Sequence, residues 1–276
     1  MPVDVDAAVI ENRRLSADYN VLSLAAPEIA ARAQPGQFVM VKTSGGNDPL
    51  LRRPFSIFEI LRDGGAPIGV SIFNKRVGVG TTLLSRVEAG AHLATLGPLG
   101  RPFEPVDPPA EGWMVAGGVG LAPFVTLAEA LAARGTRATL FYGARRAEEL
   151  YCVDLFEALG VRVVLATEDG SLGVRGRITV PLEAALGDRP LGNPVKLYVC
   201  GPTPMMRACA QLAAAHGRAC DVSLEQVMGC GLGGCYSCVV PARGAAGGAP
   251  HHTRTCIDGP IFDAQRIVWE AVSGHG

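Results

Sequence analysis

The sequence predicts three units in series: a small β-barrel or sandwich, an α/β unit built on a parallel sheet, and a short cysteine-rich tail. Three observations carry that prediction. Short, alternating apolar runs broken by glycine and proline fill residues 1–100. From Trp113 onward, strand-like and helix-like segments alternate. Four of the eight cysteines crowd together near the end, at Cys230, Cys235, Cys238 and Cys256. A length of 276 residues suits about two domains plus a small appendage.

Composition narrows the function classes. The chain has 25 basic and 26 acidic side chains, so its net charge of -1 leaves no basic surplus for nucleic-acid binding by bulk electrostatics. Apolar residues make up 48% and charged ones 18%, which excludes a disordered chain and allows sizeable cores. The first twelve residues carry Asp4, Asp6 and Glu11 and lack the order of a secretory signal. The most apolar window, residues 113–133, holds Gly117, Gly118, Gly120, Pro123 and Glu129, so it reads as strand, turn and helix and not as a membrane span. A cytoplasmic protein is expected.

In the first unit, Phe38-Val39-Met40-Val41 and Ile68-Gly69-Val70-Ser71-Ile72-Phe73 read as strands, with turns at Pro35-Gly36 and Gly45-Gly46-Asn47-Asp48-Pro49. Gly78-Val79-Gly80-Thr81-Thr82 reads as a further turn. Residues 102–112 are proline-rich and read as a linker. Strands are then expected at 113–116, 138–142, 161–166 and 196–200. Helices are expected at 124–134, stopped by Gly135; at 147–159, stopped by Gly160; and from a Thr203 cap with Pro204 first, stopped by Gly217. After Leu224 come a Gly- and Cys-rich stretch, a small-residue loop at 243–249 and an apolar segment at 261–272. His251 and His252 fall in a polar loop and receive no role.

The strongest chemical signal is Cys230-x4-Cys235-x2-Cys238 with Cys256 farther on, the spacing of plant-type 2Fe-2S ligands. Gly231, Gly233 and Gly234 let such a loop adopt positive φ and bring backbone N–H groups to the cluster sulfurs. Zinc is the alternative, although it favours paired C-x2-C knuckles and only one is present. Cys152, Cys200, Cys209 and Cys220 read as small buried hydrophobes.

Gly117-Gly118-Val119-Gly120-Leu121-Ala122-Pro123 joins a strand to a helix, as a phosphate-binding turn does. Pro123 replaces the third glycine of the dinucleotide fingerprint. No acid lies about 20 residues on, where Arg145 and Arg146 stand instead. Binding and tight strand–helix packing both remain open for this turn. Cys200-Gly201-Pro202 ends a later strand and is a second candidate. In Leu51-Arg52-Arg53-Pro54-Phe55-Ser56, strand alternation puts Arg53 and Phe55 on one face, and Arg53 could hold a pyrophosphate; an ordinary edge strand is the alternative.

Taken in order, Arg53-Pro54-Phe55-Ser56, Gly80-Thr81, Gly118 to Pro123, Cys200-Gly201-Pro202 and the tail cysteines resemble the ferredoxin reductase superfamily. More closely they resemble the electron-transfer subunits of two-component, NAD-linked dihydroorotate dehydrogenases. Pro35-Gly36-Gln37-Phe38-Val39, Gly97-Pro98-Leu99-Gly100 and Cys256-Ile257-Asp258-Gly259-Pro260 extend the match. The resemblance implies an antiparallel FAD-binding β-barrel at 1–103, an NAD-binding parallel α/β sheet at 104–223 and a 2Fe-2S domain at 224–276. It implies that Arg53, Pro54, Phe55, Ser56, Phe73, Asn74, Lys75, Gly80 and Thr81 flank FAD, with Asn74 standing where an aromatic is usual. It assigns Gly118, Gly120, Pro123, Cys200, Gly201 and Pro202 to the nicotinamide nucleotide and the four tail cysteines to the cluster.

No residue is assigned a catalytic role, since cofactors carry chemistry of this kind. The implied partner is an FMN-containing dihydroorotate dehydrogenase catalytic subunit, in a complex of two copies of each chain serving UMP synthesis. The loop 229–237, with Met228, Leu232 and Tyr236 as apolar contacts, is its expected docking face; packing of those three within the chain itself is the alternative. Other readings are a subunit of a ferredoxin-linked NAD(P)H oxidoreductase, a hydrogenase-associated flavin subunit, or a zinc-stabilised, non-enzymatic binding protein.

Overall fold

In a computed structural model, which describes residues 1–244 and 248–272, the first unit is a closed barrel. Its strands are β1 (Val3–Arg14), β2 (Tyr19–Ala25), β3 (Phe38–Val41), β4 (Arg53–Asp63), β5 (Ala66–Lys75) and β6 (His92–Leu99). They close in the order β1-β2-β5-β4-β3-β6, and every pairing is antiparallel. Alternation explains the interior: Val39 and Val41 of β3 point inward with Leu22, Leu24, Ile57, Ile72 and Leu93, all buried. Full closure removes sheet edges and decides for a barrel over a sandwich. Two short helices, α1 (Pro27–Ala30) and α2 (Val79–Leu84), cover its ends. The segment expected as a turn at Gly78-Val79-Gly80-Thr81-Thr82 therefore opens a helix. Thr81 makes the difference, because its hydroxyl accepts hydrogen bonds from the N–H groups of Val77 (2.9 Å) and Gly78 (3.0 Å) and fixes the first turn.

The second unit contains β7 (Glu111–Gly117), α3 (Phe124–Ala133), β8 (Ala138–Ala144), α4 (Val153–Ala158), β9 (Arg162–Thr167), β10 (Val174–Arg175), α5 (Thr179–Gly187), β11 (Val195–Cys200), α6 (Thr203–Ala215) and β12 (Ala219–Ser223). Gly135, Gly160 and Gly217 all adopt positive φ just past their helices, as the sequence predicts. Three expectations need correction. The linker ends earlier, because Glu111 and Gly112 already belong to β7. The helix expected over 147–159 is broken into a 3-10 turn (Ala147–Glu149) and α4, because Cys152 sits in the left-handed region at φ 56°. The last helix begins at Thr203 itself, with Pro202 as its cap.

The tail adds a hairpin, β13 (Val239–Ala242) with β14 (His251–Arg254), so His251 and His252 lie in a strand and not in a loop. Of the small-residue loop at 243–249, Ala245, Ala246 and Gly247 lie outside the described residues. The chain then returns as β15 (Ile261–Asp263), which pairs antiparallel with β12. Among the described residues the sheet runs β10-β9-β8-β7-β11-β12-β15, parallel except for β15. Among the same residues no helix is long and apolar enough to cross a membrane.

Candidate functional site

Three groups of residues meet around the barrel. The first lies at one mouth, where β4 begins. Arg53 donates through Nη1 to the carbonyls of Leu51 (2.8 Å) and Arg52 (3.2 Å), which leaves the rest of its guanidinium for a ligand. A Cβ on Gly80 would stand 3.3 Å from Thr43 Oγ1 and 3.4 Å from Arg53 Cγ, so the three residues converge. Thr43 is buried and its hydroxyl has no partner. A cation, an unpaired hydroxyl and a backbone without a side chain form a cradle suited to a pyrophosphate. Thr43 escaped the sequence reading because a lone threonine in the loop after β3 carries no signal; only the contact with Gly80 reveals it.

The neighbouring residues divide between support and surface. Asn74 is fully buried and donates to Asn20 Oδ1 (2.7 Å) and to the Thr81 carbonyl (3.0 Å). Asn20 in turn donates to Asn12, which holds the carbonyls of Leu84 and Val87. This relay ties α2 to the barrel, so the Asn74 amide acts as a strut. Phe73 is buried among Tyr19, Phe58 and Tyr151. Lys75 lies over the Tyr19 ring at 5.3 Å. The strand that carries them, β5, touches the 118–121 turn, so barrel and sheet share one apolar cluster containing Phe73, Leu121, Tyr142 and Val119.

The second group is the pair of turns at the carboxyl ends of β7 and β11. These strands are neighbours, and the chain proceeds from β7 to β8 and β9 on one side and from β11 to β12 on the other. The crevice between them is therefore the topological switch point, where open α/β sheets bind ligands. A Cβ on Gly120 would lie 2.2 Å from the Cys200 carbonyl oxygen, and one on Gly117 would lie 2.9 Å from Pro202 Cδ. Gly201 adopts φ +154° and approaches Gly117 N. Close contact of the two turns thus accounts for Gly117 and Gly120. Gly118, at φ +55°, has open space where its Cβ would be and faces the crevice region freely. Pro123 caps α3. Burial pushes the Cys200 thiol up to about 12, with Glu225 adding to the effect and Ser223 opposing it.

The third group is the cysteine loop. Gly231 (φ +71°) and Gly233 (φ +79°) turn it, with Tyr236 also at positive φ. The thiols fall into two pairs. Cys238 Sγ donates to Cys256 Sγ at 3.3 Å, and both are buried. Cys235 hydrogen-bonds Cys230 and has Ser237 Oγ at 3.2 Å. The Ser237 and Cys230 contacts pull the Cys235 thiol down to about 6, whereas burial and the adjacent Cys238 push Cys256 up to about 12. Two pairs suit two irons with two thiolates each better than one tetrahedral zinc. The Leu232 N–H donates to Cys230 Sγ at 3.3 Å, a backbone hydrogen bond of the kind that tunes such sulfurs.

The barrel anchors this loop. Phe38, Met40 and Leu99 pack with Met228, Cys238 and Cys256 in one apolar cluster. In register, Phe38 opposes Ser56 and Met40 opposes Pro54, so these four side chains share the outer face of β3 and β4. The face that carries Ser56 is therefore continuous with the face that holds the cysteines. Met228 is buried in this contact, which removes it from the expected docking face, while Leu232 and Tyr236 remain exposed at 53% and 62%.

A closed antiparallel barrel followed by a parallel sheet with a switch-point crevice is the architecture of ferredoxin-reductase-like oxidoreductases. A ferredoxin NADP+ reductase from Neisseria gonorrhoeae matches 78% of the chain with a TM-score of 0.64 at 20% identity, a likeness of fold. The structure of an NADH-dependent reduced ferredoxin-NADP oxidoreductase, described for flavin-based electron bifurcation, matches 96% of the chain and 91% of its own with a TM-score of 0.83 and 27% identity. Residues 114–211 match the oxidoreductase NAD-binding domain, and residues 225–268 match the iron-sulfur cluster binding domain of dihydroorotate dehydrogenase B. The electron transfer subunit of dihydroorotate dehydrogenase B (NAD(+)) from Desulforamulus reducens is 37% identical over 96% of this chain and 98% of its own. That of Geobacillus thermodenitrificans is 36% identical over 94% and 96%. The chain belongs to this family of dihydroorotate dehydrogenase B electron-transfer subunits.

Proposed function

We propose that the chain carries electrons between the FMN of a dihydroorotate dehydrogenase catalytic subunit and NAD, through a 2Fe-2S cluster and FAD, in de novo pyrimidine (UMP) biosynthesis. Bound together, such groups convert two-electron hydride exchange into one-electron transfer. The chain's own residues bind and orient. Arg53, Thr43 and Gly80 would receive the FAD pyrophosphate, Ser56 and Pro54 would border the flavin, and Phe73 and Lys75 of β5 would flank it. Gly118, Pro123, Cys200, Gly201 and Pro202 line the nucleotide crevice. Cys230 with Cys235, and Cys238 with Cys256, hold one iron each.

The observation that carries this reading is the shared face of β3 and β4, which joins the flavin strand to the cysteine loop while β5 joins the barrel to the nucleotide turn. We divide the chain into a flavin unit (1–103), a nucleotide unit (104–223) and a cluster unit (224–276), the last tied to the second through β15. All eight cysteines are free thiols, which suits the reducing cytoplasm.

The partner would dock on the exposed side of the 229–237 loop, around Leu232 and Tyr236, in a complex of two copies of each chain. No acid–base pair for a carbon acid is needed here, since dihydroorotate oxidation belongs to the catalytic subunit. The test mixes the two isolated subunits and follows orotate formation with NAD as acceptor. Turnover should require both chains, and the mass of the complex should equal two of each. Dihydroorotate oxidation by this chain alone, or no NAD-dependent turnover from the pair, would refute the assignment. The extensive likeness to the NADH-dependent reduced ferredoxin-NADP oxidoreductase favours a ferredoxin-linked subunit as the second reading; reduction of ferredoxin in place of orotate formation would select it. Stoichiometric zinc in a colourless preparation would select a zinc-stabilised binding protein.

A further inference from the structure

Tyr236 and Ser237 separate Cys235 from Cys238 in the cysteine loop. Tyr236 has φ +58°, a left-handed backbone that residues with side chains rarely adopt. Its neighbours hold it there. The Arg254 guanidinium lies over its ring at 5.5 Å, and Arg254 Nη1 donates to the Gly233 carbonyl at 3.2 Å, which ties β14 to the loop. Conformations of this kind cost free energy and persist where the surrounding structure enforces them. The turn brings Ser237 back beside Cys235, with its Oγ 3.2 Å from Cys235 Sγ.

The Ser237 hydroxyl is held from a second side. The Gly229 N–H donates to its Oγ at 2.9 Å. Gly229 approaches this closely because it lacks a side chain: a Cβ there would stand 3.2 Å from Cys235 Sγ and 3.4 Å from Ser237 Oγ. With one lone pair taken by Gly229, the hydroxyl keeps its proton for another acceptor. A cysteine bound to iron is a thiolate with no proton to give, so the hydroxyl is then the donor in the contact with Cys235. Gly229 N–H, Ser237 O–H and Cys235 Sγ thus form a chain in which one hydrogen bond polarises the next. A hydrogen bond to a thiolate ligand favours the more negative, reduced state and so raises the reduction potential. The Leu232 N–H acts on Cys230 Sγ in the same way at 3.3 Å, but it belongs to the backbone. Ser237 is a side chain and can be deleted.

We propose that Ser237 raises the reduction potential of the cluster by donating its hydroxyl to Cys235, with Gly229 fixing the direction of that proton. The inference rests on the four tail cysteines holding a 2Fe-2S cluster. Ser237 acts through Cys235 and is a positioning residue. The plainer role for its hydroxyl is to brace the turn against Gly229, and a brace would leave the potential where it is.

The experiment titrates the FAD- and iron-loaded chain with dithionite in the presence of redox mediators, for the wild type, Ser237→Ala, Ser237→Gly and Ser237→Thr. The reduced cluster is read by electron paramagnetic resonance and the flavin by absorbance, and iron and acid-labile sulfide are measured on the same samples. Loss of the hydroxyl should make the cluster about tenfold harder to reduce in Ser237→Ala and Ser237→Gly, a fall of about 59 mV in midpoint for a one-electron couple. Ser237→Thr keeps the hydroxyl and should return to the wild-type midpoint, and the flavin midpoint should not move in any variant. An iron-loaded Ser237→Ala or Ser237→Gly chain with the wild-type cluster midpoint overturns the inference. An equal shift of the cluster and flavin midpoints, as a general disturbance would give, overturns it too. Failure of both variants to hold iron while Ser237→Thr holds it would make the hydroxyl a brace for assembly and would also overturn it. A wild-type chain that carries no iron and sulfide, or carries zinc in their place, removes the cluster reading and this inference with it.

Discussion

Two glycine-rich loops in this chain look alike in composition and are built for different reasons. In 117–123 the decisive glycine, Gly120, has no positive φ; it is required because the Cys200 carbonyl occupies the space of its side chain. In 229–238 the decisive glycines, Gly231 and Gly233, adopt positive φ while pressing on Met40 and Ile257. The first loop is small so that two strand ends can touch. The second is small so that a backbone can wrap three thiols and still rest on a barrel. Glycine content alone therefore identifies neither a phosphate site nor a cluster site; the atom that fills the missing side chain's place does.

The sharpest division between the loops comes from a cysteine. Cys235→Ser should lose most of its iron and keep its FAD, because Cys235 lies on the cysteine loop and the residues proposed for FAD, Arg53 and Gly80, lie at the barrel mouth. Cys209→Ser, buried in the sheet core, should keep its iron. Metal analysis and flavin absorbance decide, and full iron retention in Cys235→Ser would end the ligand assignment. Next in size is Gly120→Ala. Its methyl group meets backbone rather than a flexible side chain, so about 3 kcal/mol of stability should be lost with iron content unaffected. Thermal unfolding measures the first and metal analysis the second.

The smallest effects separate glycines within the cysteine loop. Gly231→Ala combines a left-handed backbone with a 2.7 Å approach to Met40 Cγ. It should cost about 1–2 kcal/mol and reduce iron loading. Gly234→Ala meets nothing within 4 Å and has no positive φ. Its stability should stay within about 0.5 kcal/mol of the wild type with iron unchanged. Equal losses in the two variants would mean that the loop needs flexibility throughout and not conformation at defined points.

Much of this architecture was legible in the chain. Alternating runs marked the barrel, and Gly135, Gly160 and Gly217 marked helix ends through the positive φ they supply. What escaped notice did so for physical reasons. Helix α5 has Pro181 in its first turn, which is tolerated there but reads as a breaker in sequence. The break at Cys152 depends on a left-handed cysteine that no propensity anticipates. Met228 looked available for docking until the barrel contact buried it. Arg145 and Arg146 were visible, but their shared partner Glu149 was not, because ion pairing on an exposed turn leaves no mark in the sequence. The four tail cysteines were the easiest to single out, since four thiols at that spacing have few other uses.

The return of β15 to the sheet has a consequence for how the protein can be divided. Residues 224–260 contain all four cysteines proposed to hold the cluster, and a fragment ending after Cys256 would keep each of them. It would also uncover the outer rim of β12, leaving a row of unpaired N–H and C=O groups open to another chain. The three residues of β15, ending in the exposed Asp263, close that rim with a segment too short and too charged to recruit a further strand. The cysteine-bearing tail thus doubles as the selvedge of the parallel sheet, and trimming it would turn a covered edge into an adhesive one.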